Sequence, residues 1–105
     1  MTNQASALLA LGDPTRLAIV EHLVEGPCAV VDLARFLPVS RPAVSQHLRI
    51  LKDAGLVIDE PVGNRRIYRV DPDALAALRG HFDQFWQRAL TAYKRTAEQA
   101  DEREK

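Results

Sequence analysis

The stretch that most constrains the fold lies between residues 30 and 54. Val30, Leu33, Ala34 and Leu37 recur at helical spacing, Pro38 breaks the run, and Ser40-Arg41-Pro42 opens another. A serine ahead of a helix accepts a hydrogen bond from a free N–H of the first turn, and proline is tolerated in that turn. Val44, Leu48 and Leu51 then step by four and three along one inward face, and Gly55 stops the helix after Ala54. Two helices joined by the short Pro38-Val39-Ser40 link are expected to form a helix-turn-helix.

The flanks supply the rest of the domain. Gln4 to Leu11 reads as a short helix with Ala5, Leu8 and Leu9 on one side, ended by Gly12. Asp13-Pro14 restarts a helix with Leu17, Val20, Leu23 and Val24 as its apolar face, and Gly26-Pro27 ends it. After Gly55 the apolar period changes from helical to alternating. Leu56 to Pro61 and Arg65 to Val70, separated by Val62-Gly63-Asn64, read as a β-hairpin whose Gly63-Asn64 supplies positive φ angles. Tyr68 and Val70 share one strand face, and Arg65, Ile67 and Arg69 the other.

Asp71-Pro72 repeats the cap-then-proline device and opens a long helix to about Gln99. Leu75, Leu78, Phe82, Phe85, Ala89, Leu90 and Tyr93 form its apolar stripe, with Trp86 beside it. The expected fold is mainly α with a β-hairpin wing, in the order α-α-α-α-β-β-α, and dimeric. One winged helix-turn-helix domain covers residues 1–100, with a frayed charged tail over residues 101–105.

Net charge is formally zero over 105 residues, yet its distribution is uneven. Residues 35–70 carry Arg35, Arg41, Arg49, Lys52, Arg65, Arg66 and Arg69 against Asp53, Asp59 and Glu60, whereas residues 1–34 carry Arg16 against Asp13, Glu21, Glu25 and Asp32. A basic middle third between acidic or neutral flanks is the electrostatic footprint sought in a nucleic-acid binder. The single cysteine, Cys28, has no internal disulfide partner and fits a reducing compartment. It follows Gly26-Pro27 in a loop, and no basic neighbour in sequence lowers its pKa. The N-terminal residues lack a basic stretch followed by an apolar run, and no stretch of about 18 apolar residues occurs, so a cytoplasmic location is expected.

The outward side of the helix after Ser40 presents Arg41, Pro42, Ser45, Gln46, Arg49 and Lys52. Glutamine can read adenine bidentately and arginine can read guanine in the major groove. Ser40, Arg41 and Ser45 lie near the helix N-terminus, where free N–H groups favour phosphate. Arg65 and Arg66, nearest the hairpin turn, suit the backbone or a narrow minor groove, whose negative potential attracts arginine. The candidate DNA contacts are therefore Ser40, Arg41, Ser45, Gln46, His47, Arg49, Lys52, Arg65 and Arg66. His47 lies three residues after Val44, half turned to the core, so a structural hydrogen bond and a phosphate contact are both open to it. Arg16 is expected to pair with a nearby acidic side chain, and His22 is assigned no function. The candidate dimer contacts on the last helix are Leu78, Phe82, Phe85, Trp86 and Tyr93, with His81 a further interface residue.

Three segments, LGDPTRLAIVEHL, DLARFLPVSRPAVSQHLRILKDAGLV and GNRRIYRV, together resemble the ArsR-type winged helix regulators over roughly residues 5–95. The resemblance implies a homodimer with the first and last helices as dimerisation helices packed across its two-fold axis, which adds Leu8 and Leu9 to the dimer contacts, a palindromic operator near a promoter, and Ser45 and Gln46 as base readers. Two metal sites known in the family find no match in this chain. Where one type places a C-x-C pair ahead of the Asp-Leu of the third helix, this chain has Ala29 and Val31 before Asp32-Leu33, with Cys28 displaced by one. Where another has a D-x-H…H-x-x-E pattern, this chain has His81 and Asp83 in reverse order and no later histidine. A thiolate site needs three or four ligands, so neither a metal nor another cofactor is expected. Glu21, Glu25 and Asp32 are joined to no nucleophile or metal ligand, and no G-x-x-x-x-G-K, G-x-S-x-G or H-E-x-x-H run occurs, so no enzyme is expected.

These readings converge on a homodimeric, sequence-specific transcription regulator that binds double-stranded DNA, represses by default and does not respond to metal. Two alternatives remain at this level. One is a regulator that binds a small organic effector between the long helices, beside Trp86. The other is a winged helix that serves a protein partner.

Overall fold

The computed structural model describes residues 3–104. The elements run α1 (Asn3–Leu11), α2 (Pro14–Leu23), β1 (Cys28–Ala29), α3 (Val30–Phe36), α4 (Arg41–Asp53), β2 (Val57–Val62), β3 (Arg65–Val70) and α5 (Pro72–Glu104). The caps behave as their chemistry dictates. Asp13 accepts from the Arg16 N–H at 3.0 Å, Ser40 from the Ala43 N–H at 3.3 Å and Asp71 from the Asp73 N–H at 3.0 Å. Each satisfies one N–H that a helix start would otherwise leave unpaired. At the far end of α4, Gly55 adopts φ +82°, and the Leu56 N–H donates back to the Leu51 carbonyl at 3.0 Å, closing the helix.

One core joins all the layers. Ile19, Leu33, Val44, Leu48, Leu51 and Leu56 are fully buried, with Val20, Leu23, Val57 and Leu78 beside them. The 44/48/51 stripe is thus inward as its spacing requires. On α2 the expected face is partly wrong: Leu17 and Val24 are exposed, while Ile19, Val20 and Leu23 turn inward. Leu17 to Val20 are four consecutive apolar residues, so period alone cannot choose a side, and packing against α1 and α4 decides it. On α1 the buried residues are Ala7 and Ala10. Leu8 packs partly against the core, and Leu9 is exposed. Alanines fill the interior because α1 crosses α2 and α5 closely, leaving the larger leucines at the rim.

The sheet has three strands in the order β1-β3-β2, all antiparallel. β1 was not expected: Cys28 and Ala29, assigned to a loop, pair with Tyr68 and Ile67. A two-residue strand carries no alternation to read, and its existence depends wholly on the hairpin edge it meets. The hairpin turn is also tighter than expected, since Val62 pairs with Arg65 and only Gly63-Asn64 remain outside the ladder. Gly63 alone has positive φ, at +64°, the arrangement of a turn with glycine at its first central position.

α5 has 33 residues and is about 50 Å long at 1.5 Å per residue. It stretches the molecule to 72 × 26 × 25 Å. Only its start joins the core, through Leu78 and, partly, Ala74. Every described side chain from Arg79 to Arg103 is exposed. The helix passes the expected end at Gln99, so residues 101–104 are helical, while Met1, Thr2 and Lys105 of the expected bounds lie outside the described residues.

Candidate nucleic-acid interface

α3 and α4, joined by residues 37–40, form the helix-turn-helix, and β2 and β3 form a wing beside it. Burial of Val44, Leu48 and Leu51 fixes the rotation of α4 and turns Arg41, Ser45, Gln46, Arg49 and Lys52 to solvent. Among the described residues, Arg41, Ser45, Gln46 and Arg49 have no side-chain hydrogen-bond or ion-pair partner, so their polar groups are open to an incoming duplex. Pro42 stands in the first turn and Ser40 caps it, its Oγ accepting from the Ala43 N–H. The N-terminus of α4 is therefore exposed.

His47 does not face the same way. Its ring is only 22% exposed, with Nδ1 3.5 Å from an Arg16 guanidinium nitrogen and 3.9 Å from the Asp13 carboxylate. Arg16 also donates through Nε to the Ala10 carbonyl at 2.6 Å. The histidine makes the structural contact open to it, tying α4 to the joint between α1 and α2. The expected pairing of the Arg16 side chain with an acid is not made: Asp13 is taken by the Arg16 backbone N–H, and the guanidinium turns to a backbone carbonyl and an imidazole. The Arg16 backbone N–H, with the charges of Arg16 and His47, holds the Asp13 carboxyl below its ordinary value of 3.8. His22 stacks on Phe36 with ring centroids 4.8 Å apart.

The remaining candidate cations are engaged. Lys52 Nζ lies 2.9 Å from one Asp59 oxygen, and an Arg66 nitrogen donates to the other at 2.7 Å. Hydrogen bonds from Lys52 and Arg66 outweigh burial and keep the Asp59 carboxyl below its ordinary 3.8. Arg65 hydrogen-bonds Asp32, which also meets Arg35 at 3.6 Å. Neither Asp32 nor Asp59 was expected as a partner of the basic face. Asp32 lies 33 positions from Arg65, and nothing local links them. Asp59 had a legible signal, because a two-residue turn at Gly63-Asn64 sets Asp59 opposite Tyr68 and diagonal to Arg66.

Of the expected dimer contacts, Leu78 belongs to the chain's own core and Leu8 packs partly against it, because α1 and the start of α5 cross there. Leu9, Phe82, Phe85, Trp86 and Tyr93 are all at least half exposed. Cys28 is a free thiol, and burial, helped by the Asp32 charge, pushes its pKa up. Among the described residues no group of three or more His, Cys, Asp or Glu side chains is placed to hold a metal ion, and no helix is long and apolar enough to cross a membrane.

Residues 13–59 match the model of the bacterial regulatory protein, arsR family. The chain is 66% identical over 84 residues to the HTH-type transcriptional regulator Rv2034 of Mycobacterium tuberculosis, covering 80% of this chain and 78% of that one. The chain belongs to the ArsR family. The arsenical resistance operon repressor of Escherichia coli is 38% identical over 78 residues, covering 73% of this chain and 67% of the repressor. An ArsR-like transcriptional regulator from Rhodococcus sp. RHA1 superposes with a TM-score of 0.76 at 35% identity, covering 90% of this chain and 92% of that one. As an ArsR-family member this chain is a winged helix-turn-helix DNA-binding transcriptional regulator, not an enzyme.

Proposed function

We propose that this ArsR-family chain is a homodimeric repressor that binds a palindromic operator without responding to metal. Ser45 and Gln46 read base edges, Arg41 and Arg49 hold the flanking phosphates or guanines, and Lys52, Arg65 and Arg66 follow the backbone. The observation that carries the reading is the unpartnered outer face of α4, whose Ser45, Gln46 and Arg49 point away from a core that fixes the helix's rotation. Such a helix enters the major groove, and two copies related by a two-fold axis place half-sites about one helical turn, or a multiple, apart.

The homodimer is supported by α5. Its exposed part, from Arg79 to Arg103, carries Phe82, Phe85, Trp86, Leu90 and Tyr93 into solvent with no covering element among the described residues. An apolar stripe of this size marks an interaction surface, and a solitary helix is marginal in water. A second copy of α5, with Leu9 of α1 beside it, gives the stripe a partner. Non-responsiveness to metal is supported by Ala29 and Val31 at the positions of a C-x-C pair and by a Cys28 thiol whose environment disfavours the thiolate a metal would take. A chromosomal operator places the protein in the cytoplasm.

The test is binding to its own promoter fragment across a salt series, for wild type and for Gln46→Ala/Arg49→Ala. The expected result is a footprint on an inverted repeat, weakened by salt and lost in the variant, and unchanged by added zinc. Binding to the fragment no tighter than to random duplex, together with no enriched site on selection from random sequence, overturns the reading in favour of a protein partner.

A further inference from the structure

The proposed DNA face carries more cations than the free protein leaves open. Arg41 and Arg49 stand unpaired among the described residues, whereas Lys52, Arg65 and Arg66 each meet a carboxylate. The two acids involved each bridge two cations. Asp59 joins Lys52 at the end of α4 to Arg66 in β3, so one carboxylate ties the recognition helix to the wing. Asp32 joins Arg65 in β3 to Arg35 of its own helix, tying the wing to α3. Successive strand residues point to opposite faces, so the adjacent arginines at the wing tip are taken by acids on opposite sides of the hairpin.

The layering of the Asp59 cluster matters. The Asp59 side chain is 6% exposed, while Lys52 and Arg66 above it are each about half exposed. An approaching phosphate meets the two cations first, with the carboxylate beneath holding them at one spacing. Non-specific affinity is set by how many phosphates a protein's cations neutralise, each contributing about 0.9 to the slope of log K against log salt. A carboxylate under a cation pair cancels part of that attraction for every duplex. The loss is recovered only where a phosphate falls at the spacing the carboxylate imposes.

We infer that Asp59 is a specificity-determining residue of the DNA-binding face, with Asp32 its counterpart on the other side of the wing: each suppresses attraction to arbitrary duplex while holding its cations for a phosphate in one place. The inference rests on the DNA-binding reading above.

The test compares two labelled duplexes of equal length over a salt series: the tightest sequence recovered by selection from random DNA, and an unselected sequence. The proteins are wild type, Asp59→Asn, Asp59→Glu and Glu60→Gln. Glu60 neighbours Asp59 in β2, points to the opposite face and has no ion pair among the described residues, so Glu60→Gln makes the same charge change without touching the bridge. For Asp59→Asn the expected result is tighter binding to unselected duplex by several-fold more than Glu60→Gln achieves. Its salt slope should steepen by about one to two units as Lys52 and Arg66 are freed, and its preference for the selected sequence should shrink. Asp59→Glu should restore the preference in part. Circular dichroism confirms that each variant folds, and if Asp59→Asn does not, Asp32→Asn runs the same comparison through Arg65. Equal effects of Asp59→Asn and Glu60→Gln overturn the inference, since bulk charge then accounts for the change. A wild type that binds neither duplex overturns the DNA-binding reading itself, an outcome distinct from the first.

Discussion

Truncating Trp86 to alanine tests whether α5 is buried between two copies of the chain. The indole is 62% exposed in the single chain. A tryptophan presents about 250 Å² when fully open, so about 150 Å² remains to be covered by a partner. At about 25 cal/mol per Å² that area is worth about 4 kcal/mol per protomer if all of it is buried. Interfaces return only part of such area as affinity, because association costs rotational freedom and side-chain order. Discounting the two protomers' combined burial to about 2–4 kcal/mol gives a dimer dissociation constant raised by about 30-fold to 700-fold, at 1.4 kcal/mol per tenfold. Sedimentation equilibrium over a concentration series reads this directly, with Gln87→Ala, one position further round the helix, as the control. Trp86 touches no buried residue of its own chain's core, so the variant should keep the wild-type helix content at high concentration. An unchanged dissociation constant for Trp86→Ala, with a folded protein, refutes the argument that the aromatic stripe meets a second copy.

Other outcomes follow from the same geometry. Leu48 is fully buried beneath α4, so Leu48→Ala should cost about 2–5 kcal/mol, read as a lower urea midpoint, and should loosen the rotation of the recognition helix. The Asp13 and Asp59 carboxyls titrate below their ordinary 3.8 in the folded chain, so their contribution to stability is complete above that value and is lost as pH falls through the lowered one. Urea midpoints from pH 6 to pH 2 should therefore drop below about pH 4. Asp59→Asn should be less stable than wild type at pH 6 and converge with it at the acid end, and parallel curves would contradict the assignment. Burial and the Asp32 charge keep Cys28 protonated, so iodoacetamide at pH 7 should alkylate it more slowly than a free cysteine peptide, with urea restoring the rate.

What the sequence reveals and what it hides divides along the range of the interaction involved. α4 was legible because three residues at spacings of four and three sit between a serine cap and a glycine stop, all within fifteen positions. The hairpin was legible from Gly63-Asn64 and the flanking alternation. The buried side of α2 was not, because Leu17, Ala18, Ile19 and Val20 present apolar surface all round the helix, and only contact with α1 and α4 selects Ile19 over Leu17. β1 was hidden for a related reason: Cys28 and Ala29 become a strand only because Tyr68 and Ile67 arrive beside them. Among the candidate contacts, outward placement of Ser45, Gln46 and Arg49 followed from helical period, whereas the engagement of Lys52, Arg65 and Arg66 depended on carboxylates brought up by the fold. His47 was ambiguous in sequence because its position borders the buried stripe, and its neighbours Asp13 and Arg16 come from a helix joint more than thirty positions away.

The short strand β1 also has a mechanical consequence. It pairs with β3 at Ile67 and Tyr68, the middle of that strand, and the Pro61–Arg66 and Val62–Arg65 pairs with the turn project past it with no third strand beside them. The hairpin is thus a short cantilever clamped at mid-length, its free end held only by the side chains of Arg65 and Arg66. A beam's stiffness falls steeply with its free length, so the tip gains freedom to follow a groove only as Arg65 and Arg66 leave their carboxylates for phosphate, while the clamped part moves as one piece with α3. Extending β1 past Ala29 by one paired residue would shorten the overhang, and a stiffer wing would tolerate a narrower range of groove widths.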